Sequence, residues 1–297
     1  MTKETVLITG TRGFLARYLI ARAPRDIAVV GLSRTSVEDV ESISQFETLS
    51  SWTPTAISEV FNRHHITAVI HAAGEANVDA SERDVLLAAD SNVALTSLIA
   101  SAAREVAAHV VYISSNAVFS GTEAPYDDDA TPSPVNRYGM VKLAGERVVL
   151  AHDSSNAILR PILMYGWPRG ARPNPVSFTI EQLRAGKKIR MVDDVRENPL
   201  LVEQCADVIW AMTRQRTSGV VHAAGASTVN RYDLAVAVAS AFDLDASLIE
   251  RVDGSAFPSL AERPPDTTFR THRMVEELQI EPMSLPEGLA YMRANET

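Results

Sequence analysis

The chain has a single cysteine among 297 residues, Cys205, so it has no internal disulfide framework and suits a reducing compartment. Aromatic residues make up only 6% of it, and no uninterrupted apolar run approaches the ~18 residues a membrane span requires. The amino-terminal residues lead directly into Val6-Leu7-Ile8 without a charged stretch and a long apolar stretch, so no secretory leader is expected. Positive charge is also in deficit, with 28 Lys and Arg against 37 Asp and Glu and a net charge of −9. That balance lacks the electrostatic footprint of a nucleic-acid binder, though a local basic pocket can still hold an anion. With 46% apolar residues the chain has ample material for a core, and a cytoplasmic protein with no nucleic-acid or membrane partner is expected.

Short apolar runs alternate with longer helical patterns. Val6–Thr9, Ile27–Gly31, Ala68–His71, Val110–Ser114 and Ile158–Arg160 read as strands. Phe14–Arg22, Thr55–His64, Asp84–Ala107 and Tyr138–Ala151 read as helices between them. This alternation predicts an α/β fold, a doubly wound parallel sheet with helices on both faces. The pattern changes near residue 165, where Pro168, Pro173 and Pro175 cluster with Gly166 and Gly170. Residues 1–165, with about 200–227, are expected to form a nucleotide-binding domain. About 166–199 and 228–297 are expected to form a smaller, interleaved carboxy-terminal substrate lobe. His-Ala-Ala-Gly occurs at His71 and again at His222, and its flanks point to two similar strand ends rather than a duplication.

Gly10-Thr11-Arg12-Gly13-Phe14-Leu15-Ala16 sits between the first strand and the first helix. Gly10 permits a tight turn, Gly13 lets the backbone approach a pyrophosphate, and Ala16 lets the helix pack closely on the strand. Free N–H groups at the helix start favour the anion. The second strand ends at Ser33-Arg34 with no acid to bond a ribose 2′-hydroxyl. Ser33 and Arg34, with Arg12, instead suit a 2′-phosphate, so NADP(H) is the expected cofactor. Tyr138 and Lys142, one helical turn apart, share a face, and the ammonium is expected to lower the phenol pKa. Ser115 closes an apolar strand, where open α/β sheets bind their ligands.

Together these pieces resemble the extended short-chain dehydrogenase/reductases, and among them the dTDP-4-dehydrorhamnose reductase family. The stretches that carry the resemblance are His71–Asp79, Asn92, Ile113–Gly121, Pro125-Tyr126, Tyr138–Glu146, Leu159–Pro161, Tyr165-Gly166, Val192–Pro199 and Arg263-Pro264. It implies a Rossmann-type sheet and an NADPH-dependent reduction of a nucleotide-linked 4-keto-6-deoxy sugar. Tyr138 would be the proton donor, Lys142 would bind the nicotinamide ribose, and Ser115 would orient the carbonyl. Asn92 would support the lysine through water. Thr11, Phe14 and Leu15 belong to the dinucleotide loop. Ala72, Ala73 and Gly74 would line the adenosine–pyrophosphate path, and Pro161, Ile162 and Leu163 would pack near the nicotinamide. Glu75, Asn116, Ala117, Val118, Asn198 and Arg263 are the candidates for substrate contact, and no metal is implied.

The family usually has Thr-Asp-Tyr where this chain has Ser115-Asn116-Ala117, which keeps the hydroxyl and removes a charge and a ring. A sugar-nucleotide dehydratase or epimerase is an alternative, but Asn116-Ala117 offers it no acid beside the hydroxyl. A non-catalytic NADP-binding subunit is another, since the regulatory β subunit of methionine adenosyltransferase resembles the same reductases. Such a protein is expected to lose parts of the triad, and Ser115, Tyr138 and Lys142 are all present. The oligomeric state is not readable here, a homodimer being among the options.

Overall fold

The computed structural model describes residues 4–35, 45–257 and 259–296. Its first half alternates β1 (Thr5–Thr9), α1 (Phe14–Ala21), β2 (Ala28–Ser33), β3 (Gln45–Thr48), α2 (Pro54–Arg63), β4 (Ala68–His71), α3 (Val78–Arg83), α4 (Val85–Ala89), α5 (Leu95–Glu105), β5 (His109–Ile113), α6 (Arg137–His152) and β6 (Ala157–Pro161). Then come β7 (Met164–Tyr165), α7 (Pro175–Arg184), β8 (Ile189–Val192), β9 (Arg196–Glu197), β10 (Leu200–Leu201), α8 (Val202–Gln215) and β11 (Gly219–Ala223). The chain ends with β12 (Val229–Asn230), α9 (Arg231–Ala241), β13 (Ile249–Val252), α10 (His272–Glu276) and α11 (Leu285–Ala294).

Seven strands form one parallel sheet in the order β11-β6-β5-β4-β1-β2-β3. Strands β4, β5 and β6 are buried at every position, as runs covered on both faces must be. One core layer joins the sheet to α1 and α8, and the other joins it to α2, α5 and α6. The strand order reverses between β1 and β4, so a crevice opens above their carboxyl ends. The doubly wound parallel sheet expected from the sequence is therefore the observed fold. The two His-Ala-Ala-Gly copies do mark two strand ends, β4 and β11. Beyond the sheet, α7, α9 and α11 enclose separate apolar clusters around Val176, Ile180, Leu234 and Leu289. Three two-stranded pairs, β7/β10, β12/β9 and β13/β8, tie this part together.

Three local features depart from the sequence reading. The single helix expected over Asp84–Ala107 is α4 and α5 joined by a π-helical turn, Asp90–Ala94. Val85–Glu105 is long and apolar enough by composition to span a membrane, although polar residues such as Asp90, Ser91 and Asn92 interrupt its apolar run. In the fold α5 lies against the sheet, with Ile99 and Ala103 in the core. An edge strand, β3, is added beside β2, and Asn116–Val118 forms a short 3-10 turn directly after β5.

Helix α6 starts where the Asn136 side chain accepts from Gly139 N–H. Two glycines let it lie unusually close to its neighbours. A Cβ on Gly139 would come 2.0 Å from the Ala117 carbonyl oxygen, and one on Gly145 would come 2.3 Å from the Tyr112 hydroxyl. That closeness sets α6 against the 3-10 turn after β5, and so sets Tyr138 against Ser115.

Candidate active site

The Gly10 turn sits at the crevice between β1 and β4. Gly10 has φ +73°, and a Cβ there would lie 2.8 Å from backbone atoms of Ala72 and Ala73. The turn is closed by Gly13 N–H donating to Gly10 O at 2.8 Å. Helix α1 begins at Gly13 with no side-chain cap, whereas α2, α6, α7, α9 and α11 are capped by Thr53, Asn136, Asn174, Asn230 and Ser284. Its first-turn N–H groups therefore have no side-chain acceptor. Thr11 Oγ1, buried in the same loop, also has no partner. A cleft of about 790 Å³ runs from this loop past Ser33, Arg34 and Ala72–Glu75 to Tyr138, Lys142 and Pro161–Met164. At the end of β2 Arg12 donates to Thr35 Oγ1 at 2.9 Å, and Ser33 bonds the Thr35 carbonyl. Among the described residues no carboxylate is seen to cap that strand. The uncapped helix start, the closely approached glycines and the basic strand end fit a dinucleotide with a 2′-phosphate.

The wall of this cleft is braced by a chain of hydrogen bonds through His71. Ala73 N–H donates to Thr9 Oγ1 (3.2 Å), and Thr9 Oγ1 lies 2.7 Å from His71 Nδ1. His71 Nε2 lies 3.0 Å from Thr96 Oγ1, which donates to Asn92 O at 2.7 Å. Thr96 spends its only proton on Asn92, so His71 carries its proton on Nε2 and accepts from Thr9 at Nδ1. Burial, and secondarily the Lys142 charge, lower the His71 pKa to about 3 and keep the ring neutral.

At the other end of the cleft stand the catalytic candidates. Ser115 accepts from Ala117 N–H and donates to Asn116 Oδ1, both at 3.2 Å, and it also bonds the Tyr138 phenol. Lys142 Nζ donates to Ile113 O at 2.6 Å and lies 4.3 Å from the Tyr112 ring centre. Burial lowers its pKa to about 7, against the opposing pull of Glu146. The Tyr138 pKa is raised by desolvation, with the Ser115 bond opposing and Glu75 adding to the rise. This reverses the expectation that Lys142 would lower it. The shared helix face is real, but the long lysine reaches past the phenol to a strand carbonyl. A phenol held above its ordinary value remains protonated at neutral pH, as a proton donor must be. Behind it, Ser114 Oγ donates to Glu146 Oε1 (2.5 Å), and Glu146 pairs with Arg160 at 2.7 Å, all three being buried.

A second cleft, about 1070 Å³, opens between the 3-10 turn, β8, β9 and residues 254–257 and 259–267. Ser115, Asn116, Tyr138 and Glu197 line both clefts, so the two meet at the catalytic hydroxyls. Asn116 Nδ2 donates to Thr267 Oγ1 at 2.7 Å and reaches Glu197 Oε1 at 3.3 Å. Glu197 Oε2 pairs with Arg231 at 2.7 Å, and Arg231 Nη1 is buried without a partner. Arg172, Arg190 and Arg263 also line this cleft.

The structure gathers Gly10, Thr11, Arg12, Gly13, Phe14, Leu15, Ser33, Arg34, Ala72, Ala73, Gly74, Glu75, Asn92, Pro161, Ile162 and Leu163 along the first cleft. Asn92 lies in the π-turn, where its Nδ2 donates to Ala88 O (3.1 Å) and Glu75 O (3.3 Å) and its Oδ1 is buried without a partner. Ala117 and Arg263 line the second cleft, Arg263 standing 3.1 Å from Asp79. Two substrate candidates reach neither cleft. Val118 is buried in the main core. Asn198 is consumed by the backbone of Phe269, donating to its carbonyl at 2.9 Å and accepting from its N–H at 3.1 Å. Sequence reasoning missed Trp52 in the first cleft, Arg172, Arg190 and Arg231 in the second, and Glu197 at the junction.

The sequence model of the family described as RmlD substrate binding domain matches residues 4–297. Methionine adenosyltransferase 2 subunit beta of Xenopus laevis is 30% identical over 250 residues, covering 81% of this chain and 73% of that protein. A probable dTDP-4,6-dihydroxy-2-methyloxan-3-one 4-ketoreductase of Streptomyces antibioticus is 31% identical over 261 residues, 87% of this chain and 84% of the relative. Among solved structures, dTDP-4-dehydrorhamnose reductase from Yersinia enterocolitica superposes with a TM-score of 0.86 at 28% identity, over 99% of this chain and 100% of that one. The Bacillus anthracis dTDP-4-dehydrorhamnose reductase, solved with NADP, is alike in fold, with a TM-score of 0.87 at 24% identity over 99% and 100%.

Proposed function

The chain belongs to the RmlD substrate binding domain family, and from that premise we propose that it is a cytoplasmic NADPH-dependent reductase of a nucleotide-linked 4-keto-6-deoxy sugar. The observation that carries this reading is the meeting of the two clefts at Tyr138 and Ser115. In it, residues 1–165 with about 200–227 hold the cofactor, and about 166–199 with 228–297 hold the sugar nucleotide.

Thr11, Gly13, Phe14 and Leu15 hold the pyrophosphate, Ser33, Arg34 and Arg12 the 2′-phosphate, and Pro161–Leu163 the nicotinamide side. Reduced NADP, when bound, supplies the hydride. The chain's own residues do the rest. The sugar carbonyl takes the place of Asn116 as acceptor for the Ser115 proton, and Tyr138 donates to the same oxygen. Both hydroxyls are aimed where negative charge develops, and Tyr138 gives up its proton as the alcohol forms. Lys142, which lines the same cleft, would bind the nicotinamide ribose. The arginines of the second cleft suit a diphosphate.

A second reading, a non-catalytic NADP-binding regulatory subunit, is favoured by the likeness to methionine adenosyltransferase 2 subunit beta. NADPH oxidation with a panel of 4-keto sugar nucleotides separates the two. Turnover with one of them supports the reductase. Tight NADP binding with no turnover on any of them supports the subunit.

A further inference from the structure

We infer that the Trp52 ring is the platform for the coenzyme's purine, so that the base is held by stacking and its 6-amino group is not read. This rests on the NADP(H) reading of the first cleft and adds a base-binding residue to it. Parallel pairing of β2 with β3 sets Ser33 beside Thr48, and Leu49 N–H donates to Ser33 O at 3.0 Å. Trp52 follows three residues later, directly before the Thr53 cap of α2. Its half-buried ring packs on the core layer that contains Leu32, Ile57 and Leu95. From there it lines the first cleft together with Ser33 and Arg34.

Trp52 Nε1 is buried without a partner, so the surface this ring presents to the cleft is carbon. Carbon surface suits a base and not a phosphate. The other aromatic rings among the described lining residues have places elsewhere, Phe14 in the glycine loop and Tyr138 at the catalytic hydroxyls. The carboxylates of that lining, Glu75 and Glu197, also lie away from Ser33. Glu75 acts on the Tyr138 phenol and accepts from Asn77 N–H at 2.7 Å, and Glu197 lines the second cleft as well. No charged acceptor of the described lining therefore stands at this end to single out a 6-amino group. Stacking tolerates a change of base, because every base has a π-face.

The test titrates NADP, nicotinamide hypoxanthine dinucleotide phosphate and adenosine 2′,5′-bisphosphate into wild type, Trp52→Phe and Trp52→Ala, by calorimetry and tryptophan fluorescence. Wild type is expected to bind the hypoxanthine dinucleotide within about threefold of NADP. Trp52→Ala is expected to weaken all three ligands by a common factor of ~10–100. Trp52→Phe, which keeps a ring on the same core layer, is expected to stay within about threefold of wild type. The bisphosphate should quench wild-type fluorescence and leave that of Trp52→Phe unchanged, because Trp167 and Trp210 lie outside the cleft lining. Binding more than tenfold weaker with hypoxanthine, unchanged affinity in Trp52→Ala, or a quench that persists in Trp52→Phe would overturn the assignment. Wild type that binds NADP with any of these results leaves the cofactor reading standing and removes only the role of Trp52. Wild type that binds none of the three ligands removes both.

Discussion

Acid should destabilise this protein through two neutral imidazoles. His71 is the last residue of β4 and His222 the last but one of β11, and burial is the main cause that lowers the pKa of each from about 6.5 to about 3. In the unfolded chain both return to the ordinary value. Between pH 6.5 and 3 the unfolded state therefore binds protons that the folded state refuses, and stability falls as pH falls through that window. From pH 7 to pH 5 the loss is about 2 kcal/mol for each histidine. Urea unfolding of wild type, His71→Gln, His222→Gln and the double variant at pH 7, 6 and 5 measures it. Carboxylates titrate in all four proteins, so their share cancels when variant is subtracted from wild type. Each single variant should lose about 2 kcal/mol of pH dependence and the double variant about 4. Parallel curves for wild type and His71→Gln would refute the view that the Thr9–His71–Thr96 bridge holds a neutral ring.

Tyr138→Phe should lower kcat by ~10²–10⁴ with NADP affinity within about twofold, read by steady-state kinetics and cofactor titration. Activity near wild type would remove the phenol from the reaction. Arg34→Ala should weaken NADPH by ~10–100-fold while changing NADH by less than about threefold, since only the former has a 2′-phosphate for the guanidinium. Gly139→Ala places a methyl 2.0 Å from the Ala117 carbonyl, which must push α6 away from the 3-10 turn. The expected kcat loss is ~10²-fold, read by steady-state kinetics. Glu146→Ala leaves Arg160 buried without its partner and should cost about 3–5 kcal/mol of stability by chemical denaturation.

The sheet was readable because its central strands are short continuous apolar runs, and because Gly10 and Ser115 stand where such strands end. Tyr138 and Lys142 were readable from helical spacing. The electrostatic consequence was not: spacing places two side chains on one face but does not say that Lys142 bonds Ile113 O instead. Nor can spacing show that Asn198 bridges the Phe269 backbone, 71 residues away. Glu197 escaped for the same reason. It lies in an irregular Arg196-Glu197-Asn198-Pro199 segment, and only the β9/β12 pairing and the approach of Arg231 and Asn116 bring it to the wall of both clefts. The break in the helix over Asp84–Ala107 was hidden because a π-turn leaves the apolar pattern nearly intact.

The junction of the two clefts draws on distant parts of the chain: Ser115 and Tyr138 from the first half, Glu197 and Arg231 beyond the middle, Thr267 near the end. A polypeptide shortened before residue 231 would keep the whole wall from Gly10 to Leu163 and forfeit Arg231 and Thr267 from the lining of the second cleft. Coenzyme retention and carbonyl chemistry are thus separable by changes in different places.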